Sequence, residues 1–570
     1  MLLVKLAESN SVGKITIARI SRVILGSLCA FAVSPSPTEA DSRPNVVLII
    51  TDDQSPHNPP TPNFPRLVSP PGFSYSGNRV LTPFVDQLAR QGIIMTNANV
   101  ACPVCSPSRY TTLTGRHATR TGGEVFNRKF PLGEMARPEN NVELGHGELN
   151  LARLLKNAGY TTAWVGKCHI LEQEISENPT FWGTAAAPGL KAYPLHSDPK
   201  TDTKTNQAMR ENQAWWRKQI RKAGFNWVGA VYPANLLELF NKPANVHNLE
   251  WTTRSVLDFL ETRTTNPEKP FFLYYGMTVP HGPDPWRKTK EGFINALDAD
   301  PNYSAEGYRT DLDYSFMPSR TAIKKEVIAA GFDAKHAWLT WLDHSIGAIL
   351  KKLDERDLAR DTLVIVTSDH GTWRYGKTTM YEGGLKVPLV MRWPAGIRPG
   401  STYHHLVLNT DYAATILELA KADVPKNYQL DGKSLVPILR GKKTGALRKE
   451  TFHEIGFARA VKTEKWKYIA VRYPPKILRR IASGKKFPSF KENLPQNPLP
   501  YLVANLHLGY HSSRHNPNYF QADQLYDLEN DPYEKTNVLG LYPEVVTDLK
   551  ARLTRHLATF PRRPFGEFTH

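Results

Sequence analysis

Hydrophobic residues in this chain alternate between short unbroken runs and helical periodicities. Asn45 to Thr51 (NVVLIIT) is a continuous apolar run ending in Asp52-Asp53, the pattern of a strand buried on both faces of a parallel sheet. Thr82-Pro83 opens an amphipathic stretch, TPFVDQLARQ, which Gly92 stops, so the spacing predicts a helix there. A second apolar segment, Ile93 to Val100, leads to Cys102. The alternation recurs: a helix over 150–157 and a strand over 160–166, a helix over 251–262 and a strand over 270–279, a long helix over 334–355 and a strand over 362–368. A strand over 387–391 and a helix over 411–422 follow. This order predicts an α/β fold, a large and mostly parallel sheet with helices on both faces. Residues 58–77, rich in Pro, Ser and Gly, read as a loop. Residues 173–243 are polar and Trp-rich and show no assignable period.

After about Lys442 the texture changes. Arg459 to Arg472 mixes aromatic, aliphatic and charged residues as antiparallel strands do, and 544–559 reads as a terminal helix. The expected organisation is a main domain over 41–442 and a smaller C-terminal α+β subdomain over 443–570, with no Gly/Ser linker between them. The first 40 residues read differently. Lys14, Arg19 and Arg22 precede a short apolar run, Val23 to Val33, and small residues follow. That order is a secretory signal peptide, cleaved at about 32–40, and it implies export to the periplasm or the extracellular space. The alternative is a buried N-terminal helix. No other stretch is long and apolar enough to cross a bilayer, so no stable membrane insertion is expected.

The chain carries 570 residues and a formal net charge of +18; removing the four basic and two acidic residues of the leader leaves +16. A basic surface of that size attracts polyanions, whether nucleic acid or sulfated polysaccharide. No nucleic-acid motif is present, and a solvated basic face without a specific partner remains an equal reading. Four cysteines, Cys29, Cys102, Cys105 and Cys168, are too few for a disulfide scaffold; loss of Cys29 with the leader leaves an odd number and marks one thiol as special.

The candidate chemistry collects at the C-terminal ends of the expected strands, where open α/β sheets bind ligands. Asp52 and Asp53 follow the first strand, Lys167 and His169 another, His281 a third, and Asp369 and His370 a fourth. Asp52, Asp53 and Asp369 are hard oxygen donors suited to Ca²⁺ or Mg²⁺, with His370 adding a nitrogen. Taken alone, an Asp-Asp pair after a strand is as readily a cap or turn, and a lone Lys167 or Lys377 is usually a surface charge. Cys102 and Cys105 form C-x-x-C, a redox or zinc pattern, but no second ligand pair accompanies it.

Cys105 to Arg116 (CSPSRYTTLTGR) resembles the sulfatase signature: Cys105, Pro107 and Arg109 form its core, and Thr114, Gly115 and Arg116 complete it. Pro107 fits the first turn of a helix, which places residue 105 at a positive helix end. GKCH (166–169), PFFLYYGMTVPHGP (270–283), TLVIVTSDHG (362–371), Lys377 with YEGGLKVPL (381–389), QLDGKSLVPIL (429–439) and QLYDLENDPYEKTNV (524–538) are similar to further family landmarks, in family order. The resemblance covers about 44–170 and 250–560. Cys168, Lys386 and His370 depart from the residues most frequent at their positions. The resemblance implies the alkaline-phosphatase-like fold and one Ca²⁺ per chain, held by Asp52, Asp53, Asp369, His370 and the modified residue 105. It implies that a maturation enzyme oxidises Cys105 to formylglycine, whose hydrate attacks sulfur and leaves a sulfated enzyme. On the same resemblance Asp369 accepts the proton of the attacking hydroxyl, His281 and Lys377 serve the leaving oxygen, His169 takes the proton of the second hydroxyl so that sulfate is expelled, and Lys167 and Arg109 hold developing negative charge. The expected substrate is a sulfated small molecule or glycan. A phosphomonoester or phosphonate hydrolase of the same superfamily is the closest alternative, and a non-catalytic polyanion-binding protein is the other.

Overall fold

The computed structural model describes residues 43–56, 73, 80–171, 189–194, 196–236, 242–266, 268–282, 296–372, 376–483 and 516–569. The leader, most of the Pro-rich stretch 58–77 and residues 173–188 lie outside them.

Eight strands form the main sheet: β1 Asn45–Thr51, β2 Ile93–Met95, β3 Thr161–Lys167, β4 Trp227–Tyr232, β5 Phe271–Gly276, β6 Thr362–Ser368, β7 Leu389–Arg392 and β8 Ser401–Tyr403. Their spatial order is β8-β2-β7-β6-β1-β5-β3-β4. The sheet is parallel except for β7, which runs against both β2 and β6. Strand β7 enters directly after the segment that follows β6, with no helix among its described residues long enough to return the chain across the sheet. The run predicted over 387–391 is therefore a strand of the opposite sense.

Successive residues of β1 face opposite cores. Val47 and Ile49 pack with residues of the helices Pro83–Gln91, Leu249–Glu261 and Ala337–Glu355. Val46, Leu48 and Ile50 pack with residues of Cys105–Thr114, Leu151–Asn157 and Thr410–Leu419. A strand buried on both faces needs an unbroken apolar run, and all seven β1 residues are buried. The stretch without an assignable period contains a 20-residue helix, Thr203–Lys222, and β4. That helix buries few apolar side chains, Met209, Trp216 and Ile220 among them, so its stripe is too sparse to register as a period.

A second, antiparallel sheet runs β9 Thr451–Ile455, β10 Ala458–Lys462, β11 Trp466–Val471 and β12 Asp523–Asp527, in that order. One face packs on the terminal helix Pro543–Ala558 through Phe452, Val461 and Tyr468 against Leu549, Leu553 and Leu557. The other face, with Ile455, Ile469 and Val471, shares a core with Cys102, Val104, Met380 and Tyr381. The small sheet thus backs two segments of the main domain that border Cys105 and Lys377. No helix among the described residues is long and apolar enough to cross a membrane.

Candidate active site

The four strands that end in candidate residues are neighbours, β6-β1-β5-β3. Thr51 pairs with Ser368, so Asp52 and Asp369 emerge side by side, and Asp369 N donates to Thr51 O at 3.0 Å. Strand β5 ends at Gly276, and His281 lies on the turn beyond it. Gly166 of GKCH has φ +88°, and a Cβ there would meet Gly276 O at 1.9 Å, so only glycine lets β3 lie this close to β5. Asp53 (φ 67°) and His169 (φ 58°) are non-glycine residues in the left-handed region, a strain of about 1–3 kcal/mol each. The left-handed turn interrupts the strand's regular alternation just where these two residues leave it.

Cys105 is the first residue of the helix Cys105–Thr114, whose ten residues are all buried. Its first turn presents the positive dipole end; Ser106 N donates to Asn140 Oδ1 at 3.2 Å, Pro107 has no N–H and Ser108 N donates to Val104 O. The helix stops at Gly115 (φ 67°), whose carbonyl accepts from Asp431 N and Gly432 N. The QLDG landmark is therefore a brace for the end of this helix.

The charged side chains converge around Cys105. Lys167 Nζ donates to Asp52 Oδ2 at 2.6 Å and stands 3.7 Å from Cys105 Sγ. His370 Nε2 is 3.3 Å from that sulfur and 3.1 Å from Asp53 Oδ1. His169 stands near enough to Cys105 to favour its thiolate. Arg109 Nη2 donates to Asp369 Oδ2 at 2.9 Å and lies 3.6 Å from Asp52 Oδ1, while its Nη1 donates to Tyr274 OH at 3.1 Å. Its fork thus braces the carboxylates from behind. Lys377 Nζ donates to Asp53 Oδ1 at 2.8 Å, and His281 Nε2 is 3.8 Å from Asp53 Oδ2. Lys167 and Lys377 are each 1% exposed, which removes the surface-charge reading for both.

Burial would raise the Cys105 thiol, but Lys167, Lys377 and His370 outweigh it and hold the thiol well below its usual range. Burial would also raise Asp52, yet Lys167 and His281 keep it ionised to strongly acid pH. Asp369 goes the other way, to about 6, because burial and the neighbouring Asp52 charge both oppose its ionisation. Burial disfavours protonated His370, but Asp369 and Asp53 raise it to about 9. Burial and Lys377 disfavour protonated His281, and Asp53 and Asp52 overcome them.

Asp52, Cys105, Asp369 and His370 each bring one ligand atom within 4.8 Å of the others, and Asp52, Asp53, Cys105 and His281 form an overlapping set. Crowded buried carboxylates with one imidazole are the donor chemistry of a hard divalent cation. Beside Asp53, buried Gln54 leaves both amide atoms without a hydrogen bond among the described residues, the kind of group a water or ligand completes.

Two neighbours lie outside the motif reading. Asn235, just beyond β4, accepts from Lys167 Nζ at 2.7 Å; the strand-end rule finds it only once β4 is recognised. Buried Asn409 donates to Ser108 O at 3.1 Å and Thr111 Oγ1 at 2.8 Å, and its Oδ1 accepts from Ala101 N at 2.9 Å. Nothing local to Asn409 signals that role.

The family model described as Sulfatase matches residues 44–422, and that described as N-sulphoglucosamine sulphohydrolase, C-terminal, matches 369–479. Steryl-sulfatase of Rattus norvegicus is 26% identical, with 95% of this chain and 92% of that protein covered. An ulvan-active sulfatase of Formosa agariphila is 23% identical over 87% of this chain and 76% of that protein. A solved structure from work on glycosaminoglycan metabolism by Bacteroides thetaiotaomicron shares the fold, with a TM-score of 0.57 and 20% identity over 91% of this chain and all of that one. A match that extends from before β1 to beyond the helix Thr410–Leu419 leaves no doubt of kinship: the chain belongs to the sulfatase family and is a sulfuric ester hydrolase.

Proposed function

We propose that the enzyme removes sulfate from a sulfated glycan outside the cytoplasm, using formylglycine made from Cys105 and one bound Ca²⁺. The observation that carries this reading is the ring of cations, Lys167, Lys377, Arg109 and His370, around a buried residue 105 at a helix N-terminus. Such a ring suits an anionic sulfate ester far better than a neutral acyl group.

Asp52, Asp53, Asp369 and His370, with residue 105, are the groups that would hold the cation. When bound, Ca²⁺ shields sulfate charge and lowers the pKa of a hydroxyl. Hydrated formylglycine supplies the attacking hydroxyl. Lys167 Nζ and Arg109 hold negative charge beside residue 105. Asp369, whose carboxylate stands beside residue 105, is placed to receive a proton. His281, raised above an ordinary imidazole, retains a proton on Nε2 for the departing alcohol oxygen, and Lys377 stabilises that oxygen. His169, beside residue 105, takes the proton of its second hydroxyl.

Three further parts of the reading go together. The leader-like N-terminus supports export to the periplasm or outside the cell. A maturation enzyme that oxidises the Cys105 thiol is the required partner. The net basic charge and the ulvan-active relative favour a polyanionic glycan.

The test pairs a mass spectrum of the Cys105 peptide with sulfate release from sulfated polysaccharides, sulfated oligosaccharides, a steroid sulfate and matched aryl sulfate and aryl phosphate esters. The aldehyde, glycan desulfation and preference for sulfate are expected. Full turnover by Cys105→Ala, or release from the steroid ester alone, refutes the mechanism or the substrate class respectively.

A further inference from the structure

Buried charge outside the active site concentrates between the two sheets. Lys462 on β10 and Lys467 on β11 are 1% and 0% exposed. They meet Glu382, which opens the short helix Glu382–Leu385, and Glu534, which follows β12. Lys467 Nζ forms ion pairs with Glu382 Oε1 at 2.6 Å and Glu534 Oε1 at 2.7 Å, and donates to Met380 O at 3.1 Å. Lys462 Nζ donates to Glu382 Oε2 and to Asn99 Oδ1, both at 2.8 Å. Glu382 N donates to Glu534 Oε2 at 2.6 Å.

Desolvating such a cluster costs several kcal/mol per ion, and well-packed apolar residues often stabilise a core as well or better. What the cluster provides is direction. Its bonds from the small sheet end on Met380, Glu382 and Asn99. Met380 is three residues beyond Lys377, and the intervening backbone is short and itself tied: Thr378 N donates to Pro103 O at 2.8 Å, and Thr379 N to Gly376 O at 2.8 Å. Asn99 belongs to the segment that leads into Cys105. One group of charges therefore grips the Met380–Glu382 backbone and the Asn99 side chain, on the two segments whose side chains must meet at the scissile bond.

We propose that Lys467, together with Glu534, is a positioning residue for Lys377: by holding the Met380–Glu382 backbone, the small sheet sets where the Lys377 ammonium stands relative to residue 105. This rests on the leaving-group role given to Lys377 above. Loss of that placement removes help that poor leaving groups need and good ones do not, whereas a general loss of folding or of active enzyme lowers all esters alike.

The test uses the matured full-length enzyme and a series of phenyl sulfates from para-nitrophenyl to para-methylphenyl. Lys467→Met, Glu534→Gln and Lys377→Gln are each compared with wild type, with melting temperatures recorded. Glu534→Gln keeps an acceptor for Glu382 N and stands in should Lys467→Met fail to fold. A misplacement of about 1 Å can cost on the order of 100-fold, so kcat/KM for para-methylphenyl sulfate is expected to fall about 10- to 100-fold, and for the para-nitrophenyl ester less than about 3-fold. The double variant Lys377→Gln/Lys467→Met is expected to show no steeper dependence on leaving-group pKa than Lys377→Gln. Uniform loss across the series in Lys467→Met and Glu534→Gln, with a selective loss in Lys377→Gln, overturns the positioning role and leaves the leaving-group role standing. Uniform loss in Lys377→Gln overturns both.

Discussion

Removing the proposed cation should invert how stability responds to pH. In the metal-free protein Asp369 ionises only at about 6, because burial and the Asp52 charge oppose it, against 3.8 for an ordinary Asp. His370 holds its proton to about 9 against 6.5, because the Asp369 and Asp53 carboxylates outweigh its burial. Both folded-state values lie above the unfolded ones, so the folded chain binds protons that the unfolded chain has released. The Asp369 contribution is fully present below about pH 4 and is lost as pH rises through 6; that of His370 is fully present below 6.5 and is lost as pH rises through 9. At 1.36 kcal/mol per unit, each is worth about 3 kcal/mol, and their coupling keeps the sum below the simple total. For a chain of this length that is about 1 °C in Tm per kcal/mol. Calcium needs the same groups deprotonated, so its stabilisation should grow over the same range. Melting curves in chelator and in excess Ca²⁺ at pH 5, 7 and 9 should diverge as pH rises. Relative to wild type, Asp369→Asn in chelator should flatten the fall between pH 5 and 7. A calcium increment that is the same at pH 5 and 9, or a chelated wild type whose pH slope Asp369→Asn leaves unchanged, would refute this reasoning.

Three further outcomes are expected. Arg109→Lys replaces a fork that spans Asp369 and Tyr274 with a point charge, so kcat/KM should fall about 100- to 1,000-fold, and a loss under about threefold in initial-rate assays would sink the brace. Asn409→Ala strands the Ala101 N–H and leaves a small cavity, which should cost about 2–4 kcal/mol in urea unfolding; a change within experimental scatter would refute its structural role. With His281 as the acid, kcat/KM should decline as pH rises through its raised pKa, and His281→Gln should lose that limb of the profile while retaining the acid limb.

Much of this architecture is readable along the chain. The run Asn45–Thr51 and the strand Thr362–Ser368 have the bounds that their apolar runs mark, because a strand buried on both faces tolerates no polar interruption. Pro83 and Gly92 bracket a helix for reasons contained within single residues. Thr203–Lys222 escapes such reading because its buried face is thin, and β7 because sense within a sheet is not written in a run of four residues.

Seven of the ten candidate side chains, Asp52, Asp53, Lys167, His169, His281, Asp369 and His370, were legible from residue type and strand position; Cys105, Arg109 and Lys377 were legible only through the resemblance to the sulfatase signature and its landmarks. Their juxtaposition was not. Asp53 meets Asp369 across 316 residues only through the register of β1 on β6. Asn235, Asn409 and Lys467 take their partners from contacts with no local trace. Short-range rules arise from dihedral preferences and caps within a turn or two; long-range pairing depends on how whole faces pack, a free energy spread over the entire core.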